Sequence, residues 1–104
     1  MTISDKGFKL KWTQDEAIAF ECACECITDM MAIYTGRITD EKRKDTPDTD
    51  KLAEMRAERT KLAQERAALH VSDHANIARI RTNYGATVRA WRETHCVDTA
   101  HLSK

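Results

Sequence analysis

The chain has 104 residues, which is room for one domain and no second. Seventeen lysines and arginines balance seventeen aspartates and glutamates, so no global field draws the chain to nucleic acid or anionic lipid, and a strongly basic binder is disfavoured. One proline, three glycines and 33% charged residues fit a helix-rich chain and not a turn-rich β-protein.

The opening residues, MTISDKGFKLKW, lack the apolar run of a signal peptide, and no stretch approaches the ~20 apolar residues of a membrane span. The expected location is therefore the cytoplasm. Thiols stay reduced there, and the four cysteines do not read as a disulfide framework.

Residues 1–12 are expected to form an extended arm in which Phe8, Leu10 and Trp12 alternate with lysines. Thr13 then stands three residues before Glu16, the spacing of a capping box, with Trp12 placed as a hydrophobic staple. A helix is predicted from about 14 to 35, stopped by Gly36 in a left-handed conformation. As a strand, this segment would place its three cysteines on one face and a mixture of acids and apolar residues on the other. As a helix it aligns Glu21, Glu25 and Asp29 on a polar strip and leaves the rest of its circumference apolar. Such a helix calls for cover on more than one side.

Residues 37–46 read as a charged loop. Thr46 as cap, Pro47 at the first helical position and Asp48 and Asp50 near the positive end of the dipole then announce a second helix. Helix formers continue to about residue 94, and 95–104 form a polar, flexible tail. Ser72 could cap a third helix, which would give a three-helix bundle. However, no glycine or proline marks a reversal there, and the stripe of Leu52, Met55, Leu62 and Leu69 continues in phase through Ile77, Ile80, Tyr84, Val88 and Trp91. The preferred reading is all-α: an antiparallel hairpin of a short helix, about 14–35, and a long one, about 47–94, either straight or bent, with 71–74 and Gly85 as the candidate places for a bend, all in one domain spanning 1–104. The three-helix bundle is the alternative.

Helices of roughly 33 Å and 70 Å cannot cover each other. With a turn near residue 41, Phe20 faces Ala63 and Tyr34 faces Thr49, so cover ends near Leu69. Ile77, Ile80, Tyr84, Val88 and Trp91 are then left bare, flanked by Arg81, Arg89 and Arg92. Tryptophan, tyrosine and arginine are enriched where proteins grip one another. These eight residues are the expected partner-binding surface, with another protein or a second copy of the chain as its occupant; the arm of residues 1–12 could also reach the strip but brings only three large apolar side chains.

No catalytic, cofactor or metal site is expected. Cys22 and Cys26 share a helical face and Cys24 points away, so one helix offers no three-point ligation, and buried thiols acting as small apolar groups are the default. Joining that pair to His70 and His74 in a zinc site is opposed by the hairpin register, which sets Cys22 and Cys26 against residues near 61 and 57. The run HVSDH at 70–74 combines triad residue types consecutively, without an oxyanion loop, and suits a helix bend. Nucleic-acid binding by RIRTNYGATVRAWR is weighed down by its aromatics, which belong to the apolar stripe, and by Glu93.

Residues 65–91, ERAALHVSDHANIARIRTNYGATVRAW, resemble small helical accessory proteins of bacteria and their mobile elements, including immunity proteins that block a cognate toxin. The resemblance carries no site residues. It implies a protein that binds and neutralises a partner, such as a toxin or effector, and not a catalyst. The rival expectation is a structural coiled-coil homo-oligomer of a phage or plasmid.

Overall fold

A computed structural model describes the backbone of residues 13–102 and the side chains of residues 13–95. The expected arm of residues 1–12 lies outside the described residues. The described chain is all-α, with three helices: α1 (Gln14–Lys42), α2 (Thr49–Ala68) and α3 (His74–Leu102).

The start of α1 follows the sequence. Thr13 is extended at φ −83° and ψ 167°; its hydroxyl accepts from the Glu16 N–H at 3.1 Å, and its own N–H donates to Glu16 Oε1 at 2.7 Å. The two orphan donors of the first turn are thus satisfied reciprocally. The stop expected at Gly36 does not occur, and no described residue, glycine included, has a positive φ. The helix continues through most of the expected 37–46 loop, because Ile38 and Glu41 find buried positions there, 5% exposed in each case.

Glu41 also organises the short connection at 43–48. Its Oε1 pairs with Lys44 Nζ at 2.9 Å, and its Oε2 accepts from the Asp48 N–H at 3.0 Å. One carboxylate therefore ties the end of α1 to the cap of α2. Asp48, not Thr46, is that cap, and its Oδ1 accepts from the Lys51 N–H at 3.1 Å.

The single helix expected over 47–94 is two helices. Leu69 leaves α2 in an extended conformation, φ −68° and ψ 136°. His70 to Asp73 then form a β-turn closed by the Asp73 N–H donating to the His70 carbonyl at 3.0 Å. Side chains brace the turn: Asp73 Oδ2 accepts from the His70 N–H at 3.0 Å, while His70 Nδ1 accepts from the Ser72 N–H at 3.2 Å and lies 2.8 Å from Ser72 Oγ. Asp73 then opens α3, its carbonyl accepting from the Ile77 N–H at 2.8 Å. The three-helix alternative is the correct topology.

In packing, α1 is central. Arg66 reaches Thr28 and Arg59 reaches Thr35, so α2 runs antiparallel to α1, in a register shifted from the expected one because the turn follows Lys42. His74 meets Glu16 and Arg92 meets Asp29, so α3 runs parallel to α1. Ala23 and Ile27 of α1, both 0% exposed, form one cluster with Leu62, Leu69, Ile77 and Ile80. The need for cover on two sides of α1 is met within the chain.

Candidate functional site, the groove between α1 and α3

The strip expected to lie bare is largely enclosed. Ile77, Ile80 and Val88 are 3%, 0% and 5% exposed, because the reversal at 70–73 folds α3 back onto α1. Tyr84 is half-buried, its hydroxyl donating to Glu65 Oε1 at 2.7 Å. Trp91 is half-buried and stacks on His95 at 3.9 Å beside a separate cleft lined by Ile33, Gly36 and Arg37. The arginines of the expected surface have a different fate. Arg81, Arg89 and Arg92 are exposed, and all three line a groove of about 630 Å³ between α1 and α3.

Helical spacing explains the convergence. Positions 81, 85, 88 and 92 fall on one face of α3, and 22, 25, 26 and 29 on the facing side of α1. Gly85 and Cys26 meet at the floor, where a Cβ on residue 85 would stand 3.8 Å from Cys26 Sγ. The walls carry opposite charge. Glu25 and Asp29 stand on the α1 side and the three arginines on the α3 side.

Only part of this charge is answered. Arg92 donates to Asp29 Oδ2 at 3.0 Å. Arg81, Arg89 and Glu25 make no ion pair or hydrogen bond through their side chains among the described residues. Burial pushes the Cys26 thiol up, with the Asp29 carboxylate adding to the effect. It stays protonated at neutral pH and is a poor nucleophile. The groove is therefore suited to charge recognition more than to thiol chemistry.

The acidic wall and its thiols were missed as site residues, although a signal existed. Ile18, Cys22, Glu25 and Asp29 follow one another at steps of four, three and four along one face of the first helix. Ile18 is 50% exposed, the one exposed large hydrophobic among the described residues, and it continues the α1 wall beyond the groove.

The other constellations are structural. His70 and Ser72 brace the turn, and His74 Nε2 lies 2.7 Å from Glu16 Oε2, where it links the starts of α3 and α1. The Thr13 backbone N–H, followed by His74, holds the Glu16 carboxyl below the usual carboxylate range. Among the described residues no group of three or more histidine, cysteine or acidic side chains is gathered to hold a metal ion. No described helix is long and apolar enough to cross a membrane. Comparison with protein-family models, curated proteins and solved structures finds no match for this chain.

Proposed function

We propose that this chain is a non-enzymatic protein-binding module working through the groove between α1 and α3. The observation that carries the reading is the pair of unanswered arginines, Arg81 and Arg89, facing an unanswered Glu25 across a floor of thiols and glycine. Guanidinium groups without internal partners are ready donors to carboxylates, and a wall of the opposite sign fixes the orientation of whatever binds.

A protein partner is favoured over nucleic acid because Glu25 and Asp29 would repel a phosphate backbone laid along the same groove. The inhibitory role implied by the resemblance, neutralising a toxin or effector in the cytoplasm, is one form of this function. With Ile77, Ile80 and Val88 enclosed, no uncovered helix end supports that role, and the two-signed groove supports it instead. The test is retention of a cellular protein by the purified chain and by an Arg81→Glu/Arg89→Glu variant. Loss of a specific retained protein, at unchanged helicity and thermal midpoint, supports the reading. Equal retention by both chains overturns it.

A further inference from the structure

The groove belongs to a chain with no net charge, and its walls are of opposite sign. A patch with both signs on opposite sides can complement itself. Under a two-fold axis in the plane of contact and running along the groove, each acidic wall lies over the basic wall of the other copy. An axis running across the groove would instead stack acid on acid. Self-complementarity of one patch is what an isologous pair requires.

The level along the groove is fixed as well, because such an axis leaves positions along it unchanged. Within one chain α3 runs parallel to α1, with Gly85 beside Cys26 and Arg92 beside Asp29. Glu25 therefore lies at a level between Arg81 and Arg89, each within reach of a long side chain. A stable pair takes about 800 Å² from each partner, and Ile18 lies beside the groove as apolar surface to be covered.

We infer that a second copy of this chain seats groove to groove along a two-fold axis, Glu25 of each copy lying against Arg81 and Arg89 of the other. The inference rests on the protein-binding reading of this groove and names its partner. Any foreign partner would then compete with the second copy for the same walls.

Sedimentation of three purified chains, alone and mixed, tests it. Wild type is expected to be a dimer that loosens with salt. Glu25→Arg alone and Arg81→Glu/Arg89→Glu alone each set like charges face to face twice, and each should raise the dimer dissociation constant by about tenfold or more. An equimolar mixture of the two variants pairs opposite charges at both contacts and should recover dimer, which also shows that both variants fold. A dimer indifferent to both changes, or variants whose mixture stays monomeric, would overturn the inference. So would a wild-type monomer at all attainable concentrations. In that last case, groove-dependent retention of another protein leaves the broader reading standing, and its absence removes both.

Discussion

Gly36 sits inside α1 with nothing within 4 Å of where a Cβ would be, so it carries the conformational cost of glycine in a helix without any packing reason for it. Gly36→Ala is expected to raise stability by about 1 kcal/mol, read as a higher midpoint in urea. The core responds in the opposite direction. Ile80 is 0% exposed, and Ile80→Ala should cost about 2–5 kcal/mol through lost burial and the cavity left behind. Ile18→Ala, at a half-exposed position, should change the same midpoint little in the monomer. Threonines act as small relays at this scale. Thr28 and Thr35 each donate to the carbonyl four residues back and accept from Arg66 and Arg59 respectively, at 3.0–3.1 Å. Arg59 and Arg66 of α2 are thereby answered by hydroxyls of α1, with their charged heads still near water.

At the scale of elements, caps and turns decide where helices begin and end. Glu41 is the clearest case. The Asp48 backbone N–H, followed by Lys44, holds its carboxyl below the usual carboxylate range. Folding therefore favours its ionised form. The resulting stability is fully present above the ordinary carboxylate pKa and is lost as the pH falls through the lowered folded value. Glu41→Gln should lower stability at neutral pH and flatten the acid limb of a stability-against-pH curve, as measured by urea unfolding across that range. What the sequence displays at this scale is uneven. The box at Thr13 and Glu16 is local chemistry and is legible. The reversal at 70–73 is legible only as the alternative that Ser72 suggests, because a turn that needs no positive φ needs neither glycine nor proline to announce it. The continuity of the apolar stripe misleads for a separate reason. A stripe about 100° wide covers over a quarter of a helix, so two independent helices often agree in phase. The exposure of Arg81, Arg89 and Arg92 was legible in the sequence. Glu25 and Asp29 opposite them were not, because only the parallel seating of α3 brings the two walls together.

Across the whole molecule, α2 and α3 both lie along α1 but touch each other through few side chains. Glu65 is the main link, receiving the Tyr84 hydroxyl on one oxygen and the Arg79 guanidinium on the other, each at 2.7 Å. Burial, and then the Glu65 carboxylate, push the Tyr84 phenol up, so it remains a neutral donor at physiological pH. Tyr84→Phe should cost about 1 kcal/mol. The expected signature in hydrogen exchange is faster opening at the C-terminal end of α2, near Glu65, with the centre of α1 around Ile27 unchanged; uniform acceleration along all three helices would show that the link does more than join α2 to α3. The central place of α1 also has a consequence for how such a chain can vary. Ala23 and Ile27 answer to two neighbours at once, whereas α2 and α3 answer chiefly to one. Among descendants of this sequence, changes in α2 should track α1, and changes in α3 should track α1, while the two outer helices drift almost independently except around Glu65, Arg79 and Tyr84.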